Sequence, residues 1–308
     1  MSMNVPLADG VWPTAVTPFH DDGTLDIPAL NALVDFYYRA GVAGVFGVCQ
    51  SSEMFYLNRD ERDILARETM KAAAGKLPVI LSGHVSDDPE EQADELNAMA
   101  ALNPEAVVIV TNRLASEDEN DDIWFNNLEK LISRLPEDIS LGFYECPNPY
   151  KRLFTPELLS RCAATGRFGF LKDTCCEIEM IRNRVKVLKG TSLKLFNANA
   201  ATLLESLKAG ASGYSGIMAN FHPALYSGLC REWKSKPDEA DILMDFLGPA
   251  SVFEYQCYPV NAKYHLSLEG VPFGLTTRSK DPLTFRSSNR LEVDQLHRLT
   301  KRVRLING

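Results

Sequence analysis

No apolar run in this sequence of 308 residues is long enough to cross a bilayer, and Met1–Gly10, with Pro6 and Asp9, has neither the basic nor the apolar stretch of a secretory leader. A chain that neither spans nor enters a membrane is expected. A basic surplus is lacking too. The 32 Lys and Arg residues face 41 Asp and Glu, and the formal charge of -9 repels nucleic acid and anionic lipid on average. The seven cysteines are odd in number, show no C-x-x-C spacing and include the neighbours Cys175 and Cys176, so they suggest neither a disulfide framework nor a zinc site. Reduced thiols point to the cytoplasm. Histidine is scarce: His20, His84, His222, His265 and His297 form no ligand pair such as H-x-x-x-H, and no metal cofactor is expected.

What the chain does have is an ordinary globular supply of hydrophobic residues, 45% of the total, in short apolar runs that alternate with longer amphipathic stretches. Strands are predicted at Val11–Val16, Gly44–Val48, Pro78–Ser82, Ala106–Val110, Ser140–Tyr144, Phe168–Lys172, Leu193–Asn197 and Gly213–Ile217. The intervening helices are predicted at Ile27–Ala40, from Asn58 to about Gly75, and at Asp88–Leu102, Asp121–Arg134, Pro156–Ala164, Glu177–Leu188, Ala200–Ala209 and Pro223–Trp233. Leu30, Leu33, Val34 and Tyr37 make one apolar stripe of the first helix, and Asn58 suits the cap of the second. Right-handed crossovers wind such units into an open sheet or a closed barrel, and eight units favour closure. The expected fold class is α/β, a (β/α)8 TIM barrel over residues 1–233, with a helical C-terminal extension over 234–308. In the extension Asp238–Leu247, Val252–Leu268 and Val293–Ile306 read as helices joined by a polar loop that holds Arg278 to Arg286.

In such a barrel the residues that close the strands surround the mouth, here Thr17, Gln50, Ser51, His84, Thr111, Tyr144, Lys172, Asn197 and Ser215. Lys172 ends the run Phe168–Gly169–Phe170–Leu171, and period two places it on the face of Phe168 and Phe170. If that face points inward, loss of solvation favours the neutral amine, which attacks carbonyl carbon; if it points outward, the side chain snorkels from the rim toward Asp173. Tyr144 closes the preceding strand, with Gly142 leaving space two residues earlier; its phenol suits proton transfer or plain packing. Gln50–Ser51–Ser52–Glu53 stands between a strand and a helix. Its amides and hydroxyls fit a carboxylate, or an ordinary turn, and Glu53 is expected to hold the loop rather than react. The run Gly210–Gly216, with Ser215, falls where many barrels bind phosphate, although tight turns explain its glycines equally well.

Together these residues resemble the pyruvate-type class I aldolases and dehydratases, the family that includes dihydrodipicolinate synthase and N-acetylneuraminate lyase. Gly10–Phe19 is similar to the family's opening strand and T-P-F turn, Ser51, Glu53 and Leu57–Asn58 to its carboxylate loop, Tyr144 and Pro147 to its Y-x-x-P motif, and Phe170–Asp173 to its lysine strand. The resemblance covers most of the chain. It implies that Lys172 condenses with the ketone of a 2-oxo acid, that Ser51 and nearby amides hold the carboxylate, and that Tyr144 moves the protons. Gln50, Ser52, Asn197, Ser215 and Gly216 are the expected substrate-binding residues around them. The same resemblance implies a homotetramer and no metal or organic cofactor.

The sequence also departs from the family pattern. The G-T-T-G-E loop reads Cys49–Gln50–Ser51–Ser52–Glu53, and Y-N-x-P reads Tyr144–Glu145–Cys146–Pro147. The arginine of the synthases falls on Pro149, with Lys151 and Arg152 nearby; their second tyrosine falls on Thr111; and the sugar-binding acids of the lyases are absent around Asn197–Asn199. Neither of the two named activities is therefore expected as such. The function expected is a Schiff-base lyase acting on pyruvate or another 2-oxo acid. Two other classes stay open: a metal-dependent or phosphate-binding barrel enzyme, and a non-catalytic small-molecule binder on the same scaffold.

Overall fold

The computed structural model describes residues 7–306, the side chains of 304–306 excepted, so residues 1–6 of the expected leaderless start lie outside it. Eight short parallel strands form one sheet: β1 (Gly10–Val11), β2 (Val45–Gly47), β3 (Val79–Leu81), β4 (Ala106–Val110), β5 (Leu141–Tyr144), β6 (Phe168–Asp173), β7 (Lys194–Asn197) and β8 (Gly213–Tyr214). Their order is β1-β8-β7-β6-β5-β4-β3-β2. A parallel bridge between Thr14 and Phe46 joins the two ends and closes the barrel. At the β1–β8 seam the backbones pass so closely that a Cβ on Gly213 would lie 1.8 Å from the Gly10 carbonyl oxygen. Only glycine fits there.

Helices α1 (Ile27–Arg39), α2 (Arg59–Ala73), α3 (Pro89–Ala100), α4 (Asp121–Ile132), α5 (Pro156–Ala164), α6 (Ile178–Leu188), α7 (Leu203–Ala209) and α8 (Pro223–Glu232) follow the strands in turn. Their starts are those the side chains dictate. Asp26 accepts the Ala29 amide, and Asn58 and Glu61 exchange reciprocal bonds of 2.9 Å in a capping box. None of the described helices is long and apolar enough to cross a membrane.

The extension consists of α9 (Pro237–Ala250), α10 (Val260–Leu268) and α11 (Ser287–Ile306). Its apolar faces are not separate from the barrel: Leu243, Leu247, Leu266 and Leu296 pack in one cluster with Val11, Leu203, Tyr214 and Tyr226. The helix expected over Val252–Leu268 is broken. A 3-10 turn at Ser251–Tyr255 is followed by Cys257 in the left-handed region (φ 47°), and α10 begins only after Pro259. Proline has no amide hydrogen to carry a helix through, whereas an apolar pattern does not register that loss.

Candidate active site

Lys172 stands in β6 with Tyr144 of β5 as its register partner on one side and Phe196 of β7 on the other. Below it the rings of Trp12, Phe46, Phe170 and Phe196 pack edge-on or stacked, with Phe170 and Phe196 centroids 4.8 Å apart. Gly142 makes that layer possible, because a Cβ there would press on Phe170 at 3.1 Å. Phe168 does not share the layer. The β5–β6 register shifts between Leu141 and Gly142, and Phe168 stacks on Phe143, which packs against Trp124 and Phe154 between sheet and helices. Period two therefore holds from Phe170 to Lys172 and fails one pair earlier.

The Lys172 side chain points inward and is only 4% exposed. Its Nζ lies 4.3 Å from the centre of the Tyr144 ring and 6.0 Å from that of Phe46. Burial pushes its pKa below the ordinary 10.5, against the smaller opposing influence of Cys49, Cys146 and Glu254. The outcome is an amine poised to lose its proton. The Tyr144 hydroxyl, whose pKa burial holds well above the ordinary value, stays protonated and donates to Gln50 Oε1 at 3.0 Å. Cys146 Sγ donates to the same oxygen at 3.3 Å. Gln50 thus orients the phenol as an acceptor.

The turn that carries Gln50 is braced on both sides by non-glycine residues in the left-handed region, Val48 (φ 51°) and Glu53 (φ 60°). Such backbone costs energy and persists only where surrounding bonds over-determine it. Ser52 supplies two of them, accepting the Cys49 amide and donating to the Ala15 carbonyl at 2.7 Å. Ser51 Oγ donates to Thr14 Oγ1 at 3.1 Å, and no described residue accepts a hydrogen bond from the amides of Gln50 and Ser51. Two unspent amides in a single turn, which the Ser51 hydroxyl can join by turning from Thr14, suit a carboxylate.

These groups open onto a cavity of about 520 Å3 at the C-terminal ends of the strands, lined from the barrel by Gln50, Ser51, Tyr144 and Lys172. Four other expected binding residues serve the framework instead. Ser52 is spent as just described. Asn197 donates to the hydroxyls of Thr202 and Ser206 at the start of α7 and accepts the Asn199 amide, and it is Asn199 that reaches the cavity wall. Ser215 donates to the Trp12 carbonyl at 2.9 Å. Gly216 packs under the Tyr214 hydroxyl and the Ala198 carbonyl, where a Cβ would lie 2.2 and 2.3 Å from them. The glycine-rich run is thus used for close packing, as the turn explanation requires. Strand-end position marks a residue as near the mouth but does not reveal which backbone group claims its side chain.

Glu53 holds the loop as expected, and holds more besides. Fully buried with Lys263 of α10, it accepts from Lys263 Nζ at 3.0 Å and from the Arg278 amide, the Ser279 amide and Ser279 Oγ at 2.6–2.8 Å. The long polar loop is thereby fastened over the mouth. Burial lowers the Lys263 pKa to about 8 against the pull of Glu53. Glu145 faces away from the cavity: with Asp173 it pairs with the buried Arg184 of α6, and it accepts the Phe154 and Thr174 amides. Of the two cations beside Pro149, Lys151 reaches the cavity wall, while Arg152 turns to Asp121 at 3.0 Å. Thr111 Oγ1 donates to the Arg152 carbonyl and is a structural residue.

The residues missed from sequence come from the extension. The break at 251–259 brings Glu254, Tyr255 and Tyr258 to the cavity, and the fastened loop adds Ser279 and Lys280. Burial raises the Glu254 pKa to about 7, with Lys172 pulling it the other way. A further group joins His265 of α10 and Glu269, which follows that helix, with His297 of α11, their ligand atoms within 4.8 Å of one another. It lies within the extension, and none of the three lines the cavity.

The model of the dihydrodipicolinate synthetase family matches residues 7–300, which include every element from β1 to the mouth loops. The chain belongs to that family. It is 26% identical over 233 residues to the "Probable 2-dehydro-3-deoxy-D-pentonate aldolase" of Escherichia coli K12, covering 73% of this chain and 74% of the relative. It is 27% identical over 232 residues to the 4-hydroxy-tetrahydrodipicolinate synthase of Thiobacillus denitrificans, covering 73% and 74%. Among solved structures, the prophage protein YagE of E. coli K12, in complex with pyruvate, superposes with a TM-score of 0.85 at 20% identity, over 95% of this chain and 98% of that one. The dihydrodipicolinate synthase of Thermotoga maritima does so with a TM-score of 0.85 at 21% identity, over 96% and 99%. These two likenesses establish the fold, a TIM barrel with a helical extension.

Proposed function

We propose that this family member is a class I lyase that captures pyruvate, or the 2-oxo acid end of an aldol adduct, as a Schiff base on Lys172. The observation that carries this is the position of Lys172, an amine shut off from water beside a protonated phenol and a turn with two unspent amides. The substrate carboxylate rests on Ser51 and on the amides of Gln50 and Ser51. The neutral amine attacks the ketone carbon, Tyr144 protonates the alkoxide that forms and recovers its proton from the nitrogen that has become cationic, and a second proton, from solvent, releases the oxygen as water. The resulting iminium draws electrons from the neighbouring bond, so that the carbon next to it loses a proton or the carbon–carbon bond breaks. These steps ask for no metal or organic cofactor.

Family membership supports a homo-oligomer, with a tetramer as the expected form, and the seven unpaired cysteines support work in the reducing cytoplasm. Borohydride reduction in the presence of pyruvate is expected to add a pyruvate-derived mass to the peptide that holds Lys172, and Lys172→Ala is expected to remove both adduct and turnover. A wild-type protein that traps neither pyruvate nor any hydroxylated 2-oxo acid would sink the proposal.

A further inference from the structure

Pyruvate does not fill the cavity described above. Even if each of its heavy atoms took a whole water's share of roughly 30 Å3, it would occupy well under half of about 520 Å3. What lies beyond the ketone carbon is built by the extension, and its most exacting group is Glu254. The 3-10 turn at Ser251–Tyr255 sets this side chain in the cavity wall, close enough to Lys172 for the two charges to feel each other. Its Oε1 is shut off from solvent, yet it accepts no hydrogen bond from any described residue. A carboxyl oxygen removed from water without a partner carries a desolvation cost that a ligand hydrogen bond would cancel.

The surroundings select what that ligand group is. Lys151 and Lys280 also stand on the wall, so a cationic ligand would meet positive charge. A second carboxylate in place of a hydroxyl would meet Glu254 itself. A hydroxyl suits both the ionised carboxyl, as donor, and the protonated one, as donor or acceptor. We infer that Glu254 is a specificity-determining residue that binds a hydroxyl on the carbon chain beyond the captured ketone, so that the preferred substrates are hydroxylated 2-oxo acids longer than pyruvate. The inference rests on Schiff-base capture at Lys172 and adds to it the class of substrate.

The test uses borohydride trapping on the full chain and so needs no turnover. Half-saturating concentrations are measured for pyruvate, for 2-oxopentanoate, and for a five-carbon 3-deoxy-2-oxo acid with hydroxyls at C4 and C5. The wild type is expected to half-saturate with the hydroxylated acid at a concentration about ten- to hundredfold below that of 2-oxopentanoate, the range one hydrogen bond to a charged group provides. Glu254→Ala should bring that ratio close to one, the comparison of two acids within one variant cancelling any change in the reactivity of Lys172, and Glu254→Gln, which keeps an acceptor and a donor, should retain part of the preference. Pyruvate trapped with no preference in the wild type, or a preference untouched in Glu254→Ala, overturns the inference and leaves capture standing. Loss of pyruvate trapping in Glu254→Ala, with retained trapping in Glu254→Gln, overturns it in favour of a role at the amine. Absence of any adduct in the wild type overturns both.

Discussion

At position 172 the water around an ammonium group is replaced by aromatic rings and thiols, and this exchange has consequences for reactivity and for stability alike. Because burial lowers the folded-state pKa, the rate of adduct formation with pyruvate should rise with pH and reach half its plateau below 10.5, which rapid-quench trapping across a pH series would measure. The unfolded chain binds a proton that the folded chain resists, so native stability rises with pH between the folded value and 10.5. Lys172→Met should accordingly raise stability near neutral pH by on the order of 1 kcal/mol, an advantage that shrinks toward pH 10.5; urea unfolding at several pH values checks it. The lysine was legible from its place at the end of an apolar run, as were Tyr144, Gln50 and Ser51. Asn197 and Ser215 shared that place, but a nearby helix start and the Trp12 carbonyl claim their side chains. Such local bonding is set by three-dimensional proximity and leaves no trace in spacing.

Between elements, the contact with the largest consequence is the one through Glu53. A turn of the barrel, helix α10 and the segment at 276–279 all meet on one carboxylate, and Lys263 pairs with no other anion among the described residues. Glu53→Ala should therefore destabilise the protein by about 3–5 kcal/mol, since it leaves a buried cation without compensation. Adding Lys263→Met should recover much of that loss, and a double-mutant cycle by denaturant unfolding would show the coupling. Most strands and barrel helices were legible to within a few residues because period two, period 3.6 and the caps at Asp26 and Asn58 agree with one another, but the first strand, expected over Val11–Val16, already ends at Val11. The element at 252–268 was not, because its hydrophobic pattern continues through a backbone that Pro259 interrupts.

For the molecule as a whole, the apolar cluster shared between barrel and extension decides how it folds. Val11 and Tyr214 of the sheet and Leu243, Leu247 and Leu266 beyond residue 236 bury one another's surface. A chain that ends at residue 236 should therefore not reach a stable monomeric barrel: it is expected to bind a hydrophobic dye and to unfold without a cooperative transition, as calorimetry would record. Architecture was legible at this scale from the eightfold alternation alone. The participation of the extension in the cavity was not, because side chains 80 or so residues after Lys172 meet it only through tertiary packing.

The interrupted stretch between α9 and α10 contributes no backbone bond to the sheet. Its sequence is thus free to drift without disturbing the ladder that aims the amine, so descendants of such a gene would change their diet by rewriting a few codons of this one bend while inheriting the reactive apparatus intact.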